Sequence, residues 1–250
     1  MILRKIDRVG EVRTMNCGEE AKIIKYNSAR DIDIMFIKTN EIIKNVLYSN
    51  FKKGCIKSHF TPTVYGVGII GEEIEAVKNN KINKCYDTWR QMLRRCYTND
   101  KNHITYKDCE VCEEWKYYPN FKEWFIKNYY EIENEMMCLD KDILIKGNKI
   151  YSPNTCIFVP SSINILFTKR QRFRGTELIG VSLKEDKYQA NVSYRGKNIF
   201  LGYFDNELDA FICYKSAKED IIKKIADEYK EKIPNELYEA LYNYKVEIND

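Results

Sequence analysis

The chain has 250 residues, 44% of them hydrophobic and 13% aromatic, which is enough apolar material for several folded cores and too much for a disordered chain. Lys and Arg number 41 against 37 Asp and Glu, so bulk charge does not mark a nucleic-acid binder and only clustered cations can. No run approaches the ~20 apolar residues that span a bilayer, and residues 1–5 lead into no apolar signal core. A membrane role is therefore not expected, and the nine cysteines are expected to be reduced thiols in a cytoplasmic, nucleoid-associated protein.

Taken in order, residues 1–76 read as a small β module. Residues 20–26 form one strand-prone run. In Asp31-Ile32-Asp33-Ile34-Met35-Phe36 polar and apolar side chains alternate with the period of a half-buried strand. Asn27-Ser28-Ala29-Arg30 supplies the turn between these runs. Residues 42–48 are a candidate third strand, and Phe51-Lys52-Lys53-Gly54 is a candidate turn. Tyr65-Gly66-Val67-Gly68-Ile69-Ile70-Gly71 is too glycine-rich for a helix. A small antiparallel sheet or barrel is expected.

Residues 80–168 read as an α+β module. Tyr86, Trp89, Met92, Leu93 and Cys96 recur at helical spacing, with Arg90, Arg94 and Arg95 beside the stripe. A second, aromatic helix is expected around Phe121, Trp124 and Phe125; these rings and Trp115, Tyr117 and Tyr118 suit core packing better than base stacking. Residues 139–150 suggest two short strands around a hairpin turn at Lys146-Gly147-Asn148-Lys149. Ile157-Phe158-Val159 is a short buried strand, and Ser161-Ser162-Ile163-Asn164 starts a helix. Residues 169–176 are a linker holding four cations and no anion: Lys169, Arg170, Arg172 and Arg174.

The region 177–250 is the most legible. Tyr188, Ala190, Val192 and Tyr194 alternate with Gln189, Asn191, Ser193 and Arg195, so one face can bury while the other stays polar. Strands are expected at 180–183 and 199–203 as well, joined by turns at Lys184-Glu185-Asp186-Lys187 and Arg195-Gly196-Lys197-Asn198. Asp205 or Asn206 caps a helix whose stripe is Ala210, Cys213, Tyr214, Ala217 and Ile221. Three antiparallel strands with one helix packed on one face follow. A tail helix at 235–244, with Leu237 and Leu241 on one face, is expected either to cover this module or to pair with a partner.

Gly180-Val181, Lys187-Tyr188-Gln189-Ala190, Leu201-Gly202-Tyr203-Phe204-Asp205, Glu207, Ala210 and Tyr214 give this region a specific resemblance. It resembles the plant APETALA-type (ethylene-response-factor) DNA-binding domain, which also occurs in phage and mobile-element endonucleases. The resemblance implies that a narrow sheet enters the DNA major groove. By position it places Ser182, Lys184, Gln189, Asn191, Ser193, Arg195, Asn198 and Phe200 on the DNA face. Several family positions that are Arg or Trp are Ser, Asn or Phe here. The four linker cations are expected to follow phosphates.

The middle carries a second resemblance. Trp89, Met92, Arg95, Cys96 and Tyr97, then Val111-Cys112-Glu113-Glu114-Trp115, Leu139-Asp140-Lys141-Asp142, Gly147-Asn148-Lys149, Tyr151-Ser152-Pro153-Asn154-Thr155-Cys156, Val159-Pro160 and Asn164 resemble phage HNH-type homing endonucleases. That family implies one divalent ion, such as Mg²⁺, and a histidine that activates water. Here Asp140 and Asp142 stand where the base is expected, with Asn164 as the third candidate catalytic residue. Neither aspartate replaces a histidine unless burial raises its pKa. His59 lies in the N-terminal module and His103 in a polar loop. The middle module therefore reads as a degenerate nuclease core.

Cys109-Glu110-Val111-Cys112 has metal-like spacing, with Cys138 and Cys156 as partners for a structural Zn²⁺; no ribbon pattern is met, and buried reduced thiols are the alternative. The functional expectation is a phage-type protein that reads double-stranded DNA. Two rivals are kept beside it: an active metal-dependent DNA endonuclease, and a phage effector that binds a host protein or ribonucleoprotein such as a defence complex.

Overall fold

The computed structural model describes residues 7–71, 77–78, 81–98, 106–168 and 177–250. Helices and strands are mixed along the chain, an α+β fold as the sequence indicates. Two compact units form, Met1–Asn128 with Lys149–Asn154, and Tyr129–Asn148 with Thr155–Asp250. The module boundaries expected near 76 and 168 fall inside these units rather than between them.

In the first unit β1 (Val12–Thr14), β2 (Glu20–Ser28), β3 (Asp31–Phe36) and β4 (Ile42–Val46) form an antiparallel meander in chain order. The alternation visible in the sequence becomes its buried face. Ala21, Ile23, Ile32, Ile34 and Phe36 pack there with Met15 and Phe51. Where a turn was expected at 51–54, the chain instead forms α1 (Tyr48–Lys53). Burial of Phe51 favours the helix, and Gly54 at φ 70° ends it in the left-handed conformation that glycine adopts without strain.

Next come β5 (Val77–Lys78) and β6 (Lys81–Ile82), paired antiparallel. The predicted stripe is the buried side of α2 (Lys84–Tyr97), which hides Trp89, Met92 and Leu93. Its start is fixed by Asn83, whose side chain accepts from the Cys85 N–H. After β7 (Glu110–Val111), α3 (Glu113–Lys116) and α4 (Tyr118–Asn128) bury Trp115, Tyr118, Phe121 and Phe125. Trp89 Nε1 donates to the Trp115 carbonyl at 2.6 Å. These rings are core.

The second unit begins with β8 (Met137–Asp140). The hairpin expected across residues 139–150 does not form. Asp140 Oδ1 accepts the N–H groups of Asp142 and Ile143 at 2.9 and 2.8 Å, which turns the chain directly after β8. The next strand, β9 (Ile150–Tyr151), lies in the first unit and runs parallel to β7. The partner of β8 is β10 (Ile157–Pro160), antiparallel, with Ile157 opposite Asp140. A single helical turn, α5 (Ser161–Asn164), follows β10 directly.

β11 (Val181–Lys184), β12 (Lys187–Tyr194) and β13 (Lys197–Phe204) then form an antiparallel sheet in that order. Arg195 and Gly196, at φ 48° and 74°, make the two-residue turn between β12 and β13. Positive φ at both central positions is what such hairpin turns require. Of the two candidate caps, Asn206 is used, accepting the Asp209 N–H at 2.9 Å at the start of α6 (Glu207–Tyr229). With 23 residues, α6 is about 34 Å long, and it serves two cores. Its first half, through Ala210, Phe211 and Tyr214, packs on Val181, Ala190 and Val192 of the sheet. Its second half, through Ile222, Ile225 and Ala226, packs with Ile143, Ile157, Val159 and Ile163 of the β8–β10–α5 segment. The tail helix α7 (Asn235–Tyr242) closes that second core with Leu237 and Leu241. The tail thus covers its own chain.

Candidate nucleic-acid interface

Strand register decides which side chains share the sheet face away from α6. Ser182 lies opposite Gln189, and Gln189 opposite Tyr203. Asn191 lies opposite Phe200, and Ser193 opposite Asn198. Ser182, Gln189, Asn191, Ser193, Asn198 and Phe200, all expected on this face, therefore stand together in cross-strand rows. Their neighbours Val181, Ala190 and Val192 are buried against the helix. Gln189 Nε2 donates to Asn191 Oδ1 at 3.3 Å along one strand. Lys184 lies opposite Lys187 at one end of the face, and Lys187 meets Asp205 at 3.2 Å.

One residue of this face was missed from the sequence. In a regular strand, residues 200 and 203 point to opposite sides because successive side chains alternate. The register shifts here, with Ala190 opposite Gly202 and Asn191 opposite Phe200. Leu201 is the extra residue of a β-bulge, and it joins the partly buried side chains on the helix side. The phase change brings Phe200 and Tyr203 onto the same open face, 53% and 57% exposed, with ring centroids 5.1 Å apart. Gly202, at φ 146°, was the available signal, since an isolated glycine inside a strand often marks a bulge.

Arg195 departs from the rows. Its guanidinium bonds Glu228 of α6 at 2.6 Å and lies over the Tyr194 ring, 5.2 Å from the centroid. Beside the Asn191–Ser193 end lies a cavity of ≈ 700 Å³, lined by Ser182, Asn191 and Ser193 from the sheet and by Tyr214 and Lys218 from α6. Burial pushes the Lys218 ammonium below the usual lysine range. Lys169, Arg170, Arg172 and Arg174 lie outside the described residues.

The nuclease candidates sit around the end of β8. Burial first, and the neighbouring Asp142 carboxylate second, push Asp140 up to about 6. Asp142 pairs with Lys141 at 3.2 Å. Lys141, only 6% exposed, also donates to the Asn148 carbonyl at 3.0 Å, and Asn148 returns a bond to the Lys141 carbonyl at 2.7 Å. Asn164 ends α5 half-buried, and among the described residues no hydrogen bond joins it to either aspartate. Toward a hard ion such as Mg²⁺, Asp140 offers its Oδ2, because Oδ1 already holds two N–H groups; Asp142 offers oxygens shared with Lys141.

Cys109 and Cys112 belong to the first unit, Cys138 and Cys156 to the second. Among the described residues no group of three or more His, Cys, Asp or Glu is placed to hold a metal. Desolvation raises the Cys112 thiol. His59 is tied to Glu41 by both its ring Nδ1 and its backbone N–H, the latter at 2.9 Å; His103 lies outside the described residues. No described helix is long and apolar enough to cross a membrane. No family model, curated protein or solved structure matches the chain.

Proposed function

We propose that this chain binds duplex DNA by setting the open face of β11–β12–β13 into the major groove. The observation that supports this reading is the composition and exposure of one face. It carries amide and hydroxyl side chains in cross-strand rows and an exposed aromatic pair, and its opposite face is buried against a stiff helix. Three strands about 4.8 Å apart are about 10 Å across, which suits a major groove about 12 Å wide. Lys184 and Lys187 at the end of the face are exposed and suited to phosphates. The resemblance to phage HNH-type endonucleases with an APETALA-type domain points the same way. A mobility-shift titration of the full chain on a random duplex pool tests it. A shift at low salt that weakens as salt rises is expected; no shift at low salt would overturn the proposal.

Metal-dependent DNA cleavage is the second reading, favoured by Asp140, a carboxyl at the end of β8 that burial pushes up to about 6. That value suits a proton acceptor at neutral pH. A bound divalent ion would supply charge stabilisation at the phosphate. Supercoiled plasmid incubated with Mg²⁺ or Mn²⁺ should then be nicked, and Asp140→Ala should abolish the nicking.

A further inference from the structure

The open face holds the chemistry that distinguishes one base-pair type from the other. We infer that the sheet selects A·T-rich duplex through the Gln189–Asn191 amides and the Phe200–Tyr203 rings; this inference rests on the DNA-binding reading above.

In the major groove adenine presents N7 as acceptor and N6 as donor, which a side-chain amide matches with one oxygen and one NH₂. Thymine adds a C5-methyl group, whose partner is an apolar or aromatic surface. Guanine, by contrast, is matched by a guanidinium or ammonium reaching O6 and N7. Gln189, Asn191 and Asn198 supply three amides on this face. Phe200 and Tyr203 supply aromatic surface that the fold leaves more than half exposed.

Among the described residues, the cations stand at the rim of this face or turn away from it, outside the amide–ring rows. Arg195 is engaged by Glu228 on α6, Lys187 by Asp205, and Lys184 stands at the end of the face in the row with Lys187. Along β12, Gln189, Asn191 and Ser193 are two residues apart, about 6.7 Å, close to two base-pair rises of about 3.4 Å. Consecutive rows therefore meet alternate base pairs. Asn191 and Phe200 face each other across one row, and Gln189 and Tyr203 across the next. These two rows each pair an amide with a ring, as each A·T pair presents an adenine edge with a methyl group.

The Leu201 bulge gives this arrangement its second ring. Without that phase change Tyr203 would turn to the helix side, and the row of Gln189 would lack its aromatic partner.

The test uses the full chain and four 20-base-pair duplexes at one salt concentration: mixed A/T, mixed G/C, A/T with uracil for thymine, and A/T with 7-deazaadenine for adenine. The last two change only major-groove atoms. The A/T duplex should bind about tenfold more tightly than G/C, and each analogue should lose severalfold. Phe200→Ala with Tyr203→Ala should remove the sensitivity to uracil while keeping the sensitivity to 7-deazaadenine. Equal binding of A/T and G/C, or an A/T preference unchanged by both analogues, overturns the A·T inference and leaves DNA binding standing. Absence of binding to all four duplexes overturns the DNA reading itself.

Discussion

Replacing Gly180 by alanine separates two costs that the fold imposes at one position. Gly180 sits at φ 76°, and an added Cβ would fall on the ring of Tyr214, well inside contact distance. A non-glycine residue in left-handed backbone costs roughly 1–2 kcal/mol. Forcing a methyl into a packed ring adds roughly 1–3 kcal/mol, so Gly180→Ala should lose about 2–5 kcal/mol in all. Gly196 is the internal control, because its φ is 74° and a Cβ there meets nothing within 4 Å. Gly196→Ala should therefore lose only the conformational part, about 1–2 kcal/mol. Urea unfolding must be followed by far-ultraviolet circular dichroism. Trp89, Trp115 and Trp124 all lie in the first unit, so tryptophan fluorescence does not report on the sheet. Adding Tyr214→Ala to Gly180→Ala should be clearly less than additive, since the two residues pack directly on each other. Equal losses for the two glycine variants would refute the claim that Tyr214 packs on the Gly180 backbone.

Asp140 gives a pH dependence of definite sign. Its folded value of about 6 lies above the ordinary aspartate range, so between about pH 4 and 6 the folded state keeps a proton that the unfolded state has released. This contribution to stability therefore falls as pH rises through that window and is level above it. Asp140→Asn keeps an oxygen for the two N–H groups without the charge. It should flatten that slope and unfold at higher urea than the parent at pH 7.5. Gly202→Ala should destabilise the bulge by about 1–3 kcal/mol and weaken DNA binding by more than its stability loss accounts for, read by mobility shift well below the unfolding transition. Lys184→Gln with Lys187→Gln should reduce the log–log salt slope of binding by about 2, at roughly 0.9 for each phosphate no longer neutralised. Ile225→Ala should cost about 2–5 kcal/mol by opening the core that α6 shares with β10 and α7; an unchanged urea midpoint would contradict that packing.

Much of the C-terminal region is readable from sequence alone. Ala190 and Val192 bury, Gln189 and Asn191 do not, a cap falls at Asp205 or Asn206, and Ala210 and Tyr214 lie on the helix's packed side. Alternation, capping and helical periodicity are local, so a few neighbouring residues suffice to express them. The meander of the first unit is legible for the same reason, as is the stripe of α2. Four features needed tertiary structure: the pairing of β8 with β10, the second core on α6, the turning of Arg195 toward Glu228, and the place of Tyr203 on the open face. Strand partners and helix–core packing join residues far apart in the chain, and no local pattern names the partner. The bulge is subtler: one added residue reverses the phase of everything beyond it, so strict alternation assigns Phe200 to the open face and Tyr203 to the wrong one. Only the hydrogen-bonded register with the neighbouring strand fixes where that phase changes.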